Sequence, residues 1–326
     1  MIVVTGGAGF IGSCMVWQLN QLGLSDILVV DDLGSESKWQ NLSKHSFSHI
    51  MSIDGFIENL GEYSNQIEGI FHMGACSTTT ETDADYLMKN NVLYSKKLFE
   101  FCTEKSIPFI YASSAATYGD GSQGYDDLAL NWQTLQPINK YGFSKHIFDR
   151  WVSTQKKTPP FWAGLKFFNV YGPQEYHKGG QASVVYHAFP QVKERQCLKL
   201  FKSYKPEYQD GEQKRDFIYV KDVLKVMAHF WNTPKPERSG IYNVGTGTAR
   251  SFSDLGRSVF SALELKNPNF EWIDMPESLK KQYQYFTEAT LEKLRTIGGY
   301  QQEFFSLEEG VKEYVANYLN QDDQYL

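Results

Sequence analysis

Short apolar runs and segments with helical spacing alternate through the first half of the chain. The runs are continuous and rich in β-branched residues, as buried strands are, and the longer segments repeat apolar residues every three to four positions, as helices do. Strands are predicted at Ile2–Val4, Ile27–Val30, His49–Ile53, Gly69–Met73, Phe109–Ser113 and Ala163–Val170, and helices at Ser13–Leu22, Asp83–Thr103 and Lys140–Thr154, with a loop at Gly119–Pro137. Strands that alternate with helices in this way pair in parallel through right-handed crossovers.

The second half has a different character. A helix is predicted at Ala182–Arg195, then a polar stretch at Lys202–Lys214, a strand at Asp216–Val220, a helix at Asp222–Trp231, a strand at Ile241–Val244 and a helix at Phe252–Leu263, with Phe270–Ile273, Ala289–Arg295 and Leu307–Leu319 as the last elements. We therefore predict an α/β fold. A doubly wound parallel sheet of the Rossmann type occupies residues 1–170, with strands returned from 215–246. A smaller mixed α/β lobe, mainly residues 171–326, covers the carboxyl ends of the strands and binds the substrate.

A glycine cluster follows the first predicted strand directly. Gly7, Gly9 and Gly12 fit G-x-G-x-x-G, and Gly6 adds a second frame. Such glycines allow a tight turn, a close approach of backbone to a pyrophosphate, and close packing of the next helix, whose N-terminus attracts the phosphates. Asp31 ends the second strand about 20 positions on, where an acid contacts the adenosine ribose. This order favours a dinucleotide site over a merely flexible turn.

Composition narrows the possible functions. The chain has 326 residues, 41% of them apolar, and a net charge of −6. It can bury a core as one large or two modest domains, and its charge argues against general nucleic-acid binding. Neither a signal peptide nor a membrane span is predicted. The four cysteines form no C-x-x-C pair, so we expect free thiols in a reducing, cytoplasmic compartment and no metal site.

Three features carry candidate chemistry. Tyr141 and Lys145 are four apart on a predicted helix, so the ammonium can lower the pKa of the phenol and let it accept a proton from an alcohol. Ser114, at the end of the fifth strand, can hydrogen-bond the same oxygen. Lys178 lies in a glycine-flanked loop beyond the sixth strand. Each feature alone also fits an ordinary exposed or core residue.

Together these segments resemble the extended short-chain dehydrogenase/reductase family of nucleotide-sugar enzymes, over nearly the whole chain. The resemblance rests on T-G-G-A-G-F-I-G at Thr5–Gly12, Y-A-S-S-A-A-T-Y-G at Tyr111–Gly119, Y-G-F-S-K at Tyr141–Lys145 and R-D-F-I-Y-V-K-D at Arg215–Asp222. Three more segments resemble the branch that epimerises an ADP-linked heptose: H-M-G-A-C-S-T-T-T at His72–Thr80, F-N-V-Y-G-P-Q-E-Y-H-K-G at Phe168–Gly179 and K-L-F-K-S-Y at Lys199–Tyr204.

The resemblance implies an isomerase that holds NADP tightly, with NAD as the alternative. The C6″ alcohol of the sugar would be oxidised to a transient ketone and reduced again on the opposite face. Because the alcohol oxygen takes two positions, two acid/base groups are implied, Tyr141 for one epimer and Lys178 for the other. Lys145 would hold the cofactor and lower the pKa of Tyr141, and Ser114 would orient the oxygen. Which epimer uses which base stays open.

Binding positions also follow from the resemblance. The cofactor would contact Gly6, Gly9, Phe10, Ile11, Gly12, Asp31, Asp32, Lys38, Met73, Gly74, Ala75, Cys76, Ser77, Asn90, Lys145, Val170 and Lys178. The ADP-heptose would contact Ser114, Asn169, Gly180, His187, Phe201, Lys202, Ser203, Tyr204, Arg215 and Tyr283. Arg215 suits a pyrophosphate, because a guanidinium pairs with two oxygens. Asp31 and Asp32 would repel the 2′-phosphate of NADP, whereas Lys38 would attract it.

Three alternatives remain. A nucleotide-sugar 4,6-dehydratase would need an acid and a base after Ser114, where Ala115 and Ala116 stand. A UDP-hexose 4-epimerase would share Tyr141 but have no use for Lys178 as a second base. A non-catalytic scaffold that senses a dinucleotide would not need the tyrosine and lysine that are both present. The family also implies a homo-oligomer, often a pentamer, with neither nucleic acid nor a membrane as partner.

Overall fold

Strands form the frame of the computed structural model, which describes residues 1–128, 131–280 and 283–326. The strands of these residues are β1 (Ile2–Thr5), β2 (Ile27–Val30), β3 (His49–Met51), β4 (Gly69–His72), β5 (Phe109–Ser114), β6 (Trp162–Phe167), β7 (Asn169–Tyr171), β8 (Leu198–Phe201), β9 (Lys214–Arg215), β10 (Phe217–Tyr219), β11 (Gly240–Val244), β12 (Arg250–Ser251) and β13 (Phe270–Ile273). Seven of them form one sheet in the order β11-β6-β5-β4-β1-β2-β3. All its neighbours pair in parallel. The predicted α/β fold with a doubly wound parallel sheet is therefore confirmed.

Helices cover both faces of this sheet. They are α1 (Phe10–Gln21), α2 (Ile53–Glu58), α3 (Ala84–Leu87), α4 (Tyr94–Lys105), α5 (Lys140–Ser153), α6 (Val184–Arg195), α7 (Val220–Asn232), α8 (Phe252–Ala262), α9 (Glu277–Lys280), α10 (Glu292–Thr296) and α11 (Leu307–Tyr314). All residues of β1, β2 and β4 are buried, as expected for strands with helices on either side. Among the described residues, no helix combines the length and apolarity that crossing a bilayer requires.

Two predicted helices differ in their limits or their form. α1 begins at Phe10, three residues before the predicted start, because the extended Gly9 is its N-cap and the glycine turn ends there. The segment predicted as one helix from 83 to 103 contains a π-helical turn at Met88–Leu93 between α3 and α4. Such turns insert one residue into a helix and are frequent at functional sites. Part of the predicted loop at 119–137, residues 129 and 130, lies outside the described residues.

The sixth predicted strand is wrong in its length, because it breaks at Phe168. The amide of Phe168 donates to Val244 O (3.0 Å), the last such bond toward the main sheet, and the next amide, that of Asn169, donates to Asp216 O (3.0 Å). As a result β7 pairs with β10 in a separate two-stranded sheet. Of the strands expected to return from residues 215–246, β11 joins the main sheet beside β6, and β10 does not.

The remaining strands of the second half form small sheets of their own. β8 pairs with β13 in parallel, and β9 pairs with β12 in an antiparallel manner. α6, α8 and α11 pack around these strands, and one large apolar core runs from the first strand to the last helix. This second group of elements lies beside the carboxyl ends of the main strands, which positions it to complete a binding site there.

Candidate active site

A cleft of about 960 Å³ lies where β1, β4, β5 and β6 end. The structure brings most of the predicted site residues into its lining. These are Gly6, Gly9, Phe10, Ile11, Gly12, Asp31, Asp32, Lys38, Met73, Gly74, Ala75, Cys76, Ser77, Asn90, Ser114, Tyr141, Lys145, Asn169, Val170, Lys178 and Arg215. Residues from both parts of the chain therefore share one cavity.

The glycine turn after β1 leaves room only for backbone. A Cβ on Gly12 would lie 2.0 Å from the carbonyl oxygen of Gly6, and Gly6 has a φ of +64° and faces Gly74 across the cleft floor. α1 then starts with no side-chain cap and with no acidic residue in its first turn. Free amides and the helix dipole at this end favour an anion such as a pyrophosphate. The turn fits the dinucleotide that its motif predicts.

Charged residues surround the far end of this turn. One Asp31 oxygen accepts from the amide of Ala8 (2.9 Å) and the other pairs with the Lys38 ammonium (2.7 Å). Asp32 accepts from the amide of Ile53 (3.1 Å), and Glu36, which the sequence reading missed, also lines the cleft. The positive charge of Lys38 is thus already paired.

Hydrogen bonds from buried side chains hold the loop that follows β4. The amide of Gly74 donates to Thr5 Oγ1 (3.1 Å), which lies 2.6 Å from His72 Nδ1. Burial lowers the pKa of His72 to about 3, so its ring is neutral at ordinary pH. From the π-helical turn, the Asn91 side chain exchanges two hydrogen bonds with the backbone of Cys76 (2.9 and 3.0 Å). The expected cofactor loop is therefore rigidly held.

The tyrosine and lysine of Y-x-x-x-K lie on the cleft side of α5. Burial raises the pKa of Tyr141 to about 12, opposed by a hydrogen bond with Ser114. Burial also lowers the pKa of Lys145 to about 8, and its ammonium donates to Ala112 O (2.9 Å). The lowered phenol pKa that the sequence predicts is not found in the chain alone, because desolvation of the phenol outweighs the other influences.

A buried ion pair lies directly beneath these residues. Lys166 and Asp149 are both fully buried, with 2.6 Å between Nζ and Oδ2. Asp149, one turn after Lys145 on α5, also accepts from the hydroxyls of Ser113 (2.5 Å) and Tyr111 (2.9 Å). The Lys166 ammonium donates to Thr117, whose hydroxyl donates to Ser114 O (2.8 Å). The end of β5, and with it Ser114, is thus fastened to α5.

Lys178 also lines the cleft. It belongs to the helical turn Tyr176–Gln181, and its ammonium lies 5.4 Å from the centre of the Phe10 ring at the start of α1. Burial lowers the pKa of Lys178, and the carboxylate of Glu175 opposes this shift. The chain therefore presents Tyr141 and Lys178, two groups that can carry a proton, to one cavity that begins at the glycine turn.

Arg215 enters the cleft from β9 and is 6% exposed. Its guanidinium lies over the rings of Tyr283 (5.0 Å) and Phe252 (5.7 Å) and donates once to Lys214 O. Burial lowers the pKa of Arg215. A buried guanidinium packed against aromatic rings can bind a phosphate group. Tyr283 does not line the cleft but orients Arg215.

Besides Tyr283, six predicted substrate positions do not line the cleft: Gly180, His187, Phe201, Lys202, Ser203 and Tyr204. Phe201 ends β8, which pairs away from the main sheet with β13, and Lys202 forms an ion pair with Asp274 (3.1 Å). Gly180 and His187 are exposed. Contacts of these residues with a substrate stay a prediction.

The cleft also contains residues that the sequence reading missed. The polar ones are Glu36, Thr78, Thr79, Tyr86, His177, Gln181, Ser183, Gln284 and Thr287. His177 and Gln181 flank the predicted Lys178 and could have been found from its loop. Gln284 and Thr287 come from a segment with no recognisable local motif, so only the fold reveals them.

Comparison with known proteins identifies the class. Residues 2–245 match the NAD dependent epimerase/dehydratase family, and the chain belongs to that family. Relatives matched over 100% of both chains are ADP-L-glycero-D-manno-heptose-6-epimerases, 54% identical in Fusobacterium nucleatum and 49% in Nitratidesulfovibrio vulgaris. The Helicobacter pylori enzyme of the same name has a crystal structure that matches with a TM-score of 0.79 at 28% identity, covering 97% of this chain and 95% of that one.

A second solved structure extends the comparison to the cofactor. UDP-glucose 4-epimerase of Thermus thermophilus in complex with NAD matches with a TM-score of 0.75 at 26% identity, covering 96% of this chain and 97% of that one. The chain is therefore similar to nucleotide-sugar epimerases along nearly its whole length.

Proposed function

We propose that this chain inverts C6″ of ADP-D-glycero-β-D-manno-heptose and gives ADP-L-glycero-β-D-manno-heptose, a precursor of lipopolysaccharide core heptose. The full-length likeness to curated 6-epimerases supports this assignment. The structural observation that carries it is that Tyr141 and Lys178 line the same cleft as the glycine turn. An enzyme that inverts a carbinol needs a proton carrier at each position of the oxygen.

The residues present fit a nicotinamide dinucleotide. The glycine turn and the first amides of α1 suit its pyrophosphate, and the loop from Met73 to Ser77 flanks the same path. Such a cofactor accepts a hydride from the C6″ carbon and returns it, and its oxidised ring carries a positive charge. Lys145 lies at the inner end of the path, where its ammonium can hold a ribose hydroxyl.

Proton transfer falls to the residues of the chain. When the carbinol loses its hydride, its hydroxyl proton passes to the group that the oxygen faces, which is Tyr141 for one epimer and Lys178 for the other; the group accepts it as a phenolate or a neutral amine, while the other group still holds its proton. The carbonyl formed then turns within the cleft, so that its oxygen faces the second group. That group supplies the proton as the hydride returns to the opposite face. The hydroxyl of Ser114, which accepts from the amide of Ala116 (3.1 Å), can donate to the substrate oxygen.

The ADP portion fits the end of the cleft near Arg215. Its guanidinium lies 5.0 Å from the centre of the Tyr283 ring and donates one hydrogen bond within the described part of the chain, so other N–H groups remain for the pyrophosphate. Gln284 and Thr287 line the same end and offer further donors. This arrangement favours a nucleoside diphosphate sugar over a simple sugar.

The charges around Asp31, where the adenosine ribose is expected, favour NAD over NADP. NAD is the alternative that the sequence left open. Three of the described carboxylates that line the cleft, Asp31, Asp32 and Glu36, stand here against the ammonium of Lys38. Lys38 is paired with Asp31, so a 2′-phosphate would meet two uncompensated carboxylates. Like charges placed together lower the affinity for NADP.

Two measurements test the cofactor. Denatured protein should release NAD in preference to NADP, as measured by an enzymatic cycling assay specific for each. A variant with Asp32→Asn and Glu36→Gln should bind NADPH about tenfold more tightly, an effect of roughly 1.4 kcal/mol, while NADH affinity changes little. Release of NADP alone by the unaltered chain contradicts the charge argument.

We also propose a cytoplasmic homo-oligomer, with a pentamer as the form that the family implies. The relatives that share the whole chain support an enzyme of soluble nucleotide sugars. Light scattering coupled to gel filtration measures the number of subunits.

The decisive experiment for the function compares two substrates. Purified chain is incubated with ADP-D-glycero-β-D-manno-heptose or with UDP-galactose, and epimers are resolved by proton NMR. Conversion of the heptose at C6″ with no change in UDP-galactose is expected. Conversion of UDP-galactose alone would transfer the assignment to the 4-epimerases.

A further inference from the structure

Lys178 depends on a residue that does not line the cleft. Glu175, three residues earlier, is fully buried, and its carboxylate accepts from the amide of Gly172 (3.3 Å), the amide of Ser183 (2.5 Å) and the hydroxyl of Ser183 (2.7 Å). Its carbonyl oxygen accepts from the amide of Lys178 (3.0 Å). The carboxylate thus joins both ends of the loop that bears Lys178.

We propose that Glu175 is a positioning residue for Lys178: it closes the loop from Gly172 to Ser183 and supplies the buried negative charge that keeps the Lys178 amine within the range of a proton carrier. The inference rests on the proposed function, because Lys178 is the second base there. Burial raises the pKa of Glu175, and the three hydrogen bonds donated by Ser183 and Gly172 oppose this rise by favouring the ionised carboxylate. Ser183 is also the N-cap of α6, whose dipole adds to the same effect.

The second part of the argument concerns charge. Burial alone disfavours the ammonium of Lys178, and Glu175 is the charged group that opposes this. The other groups that face Lys178 are His177 of its own turn, which burial keeps neutral with a pKa of about 4, and the Phe10 ring of α1. Lys38 and Asp31 lie beyond His177 and are paired with each other. The groups that face the carboxylate are Tyr176, Cys14 of α1, whose thiol pKa is raised by burial, and Tyr314 of α11.

The same loop has a second, uncharged anchor. The Asn41 side chain donates to Ala8 O of the glycine turn (2.9 Å) and to Gln174 O (3.1 Å), and it lies 3.1 Å from His177 Nδ1. Gln174 has a φ of +79°, a strained value that must be held by its surroundings. Asn41 therefore offers a control: its loss loosens this loop without removing a charge.

Competitive acetylation tests the proposal without turnover. Protein as purified, with no substrate added, is labelled with acetic anhydride across a pH range, and mass spectrometry of the Lys178 peptide gives the titration midpoint of that amine. In Glu175→Gln we expect the midpoint to move to lower pH, because the opposing charge is lost. In Asn41→Ala we expect the midpoint of the unaltered chain. A midpoint that stays in place in folded Glu175→Gln, or that moves as far in Asn41→Ala, overturns the charge argument.

Glu175→Asp tests the positioning part and covers the case in which Glu175→Gln does not fold. The shorter side chain keeps the charge but cannot reach Gly172 and Ser183 together. In a Tyr141→Phe background, which leaves Lys178 as the proton carrier, we expect kcat to fall about 10- to 100-fold with little change in KM and with the acetylation midpoint kept. Full kcat in Glu175→Asp overturns the positioning role. A Tyr141→Phe chain with no turnover while the midpoints behave as expected counts against the two-base function and leaves the proposal intact.

Discussion

A Lys166→Met substitution removes the ammonium from the ion pair beneath Ser114 and measures how strongly that pair holds the floor of the cleft. Lys166 and Asp149 are both 0% exposed and 2.6 Å apart. Methionine fills most of the same volume, so the main effect is an uncompensated buried carboxylate. Removing one partner of such a pair costs about 3–5 kcal/mol, a large part of the roughly 5–15 kcal/mol by which domains are stable.

The expected loss of stability in Lys166→Met has two contributions, a lost hydrogen bond and an unpaired buried charge. After the change, Asp149 keeps the hydroxyls of Ser113 and Tyr111, whereas Thr117 loses its ammonium donor. One lost hydrogen bond accounts for about 1 kcal/mol, and the remainder is the unpaired charge. The double variant Asp149→Asn, Lys166→Met removes both charges, so we expect it to be about 2 kcal/mol less stable than the unaltered chain and more stable than either single variant.

Urea unfolding followed by tryptophan fluorescence gives these free energies. Arg257→Ala is the matched control, because Arg257 pairs with Asp254 at 3.0 Å but is 53% exposed, and such pairs contribute about 0.2–1 kcal/mol. A Lys166→Met chain that loses less than about 1 kcal/mol, or a double variant whose loss equals the sum of the two single losses, refutes the reasoning, because then the pair has no coupling energy.

Three further outcomes are expected. The double variant Tyr141→Phe, Lys178→Met should have no turnover by NMR of the C6″ proton, while each single variant keeps part of it. In Lys178→Met alone, the rate should fall as pH rises through about 8, because Lys145 loses its proton there; a pH–rate profile measures this. The free energy of unfolding should fall as pH drops from 6.5 toward 3, because His72 binds a proton in the unfolded chain but not in the folded one, where burial lowers its pKa to about 3. His72→Gln should remove this contribution to the pH dependence, which is at most about 1.4 kcal/mol per pH unit.

The fold was predictable where one local pattern decides it. Continuous β-branched runs and helical spacing predicted the strands and helices of the main sheet, because a strand that is buried on both faces consists of consecutive apolar residues. The break at Phe168 was not predictable. Apolar residues continue on both sides of it, as Phe167 before and Val170–Tyr171 after the polar Asn169. What ends β6 is the switch of hydrogen-bond partner from Val244 to Asp216, which lies far along the chain.

The candidate site was likewise predictable only where its residues belong to short local motifs. The glycine turn, Tyr141 with Lys145, and Lys178 were found because their chemistry sits in short motifs, and all of these line the cleft. The residues that hold these groups in place were not predicted from the sequence. Asn41 meets Gln174 across 133 positions, and Lys166 meets Asp149 from a different strand. A buried polar residue shows its role only when its partners are known.

The two proton carriers are held in physically different ways, and this difference suits inversion. Tyr141 stands on the 14-residue helix α5, which also carries Asp149 of the fully buried ion pair. Lys178 stands on a short turn before the exposed Gly179 and Gly180, and its long side chain spans the distance from that turn to Phe10. A substrate oxygen that turns away from the phenol of Tyr141 can therefore contact the amine of Lys178, because the lysine side chain is long. Shortening that side chain would remove the second proton carrier while leaving the first in place.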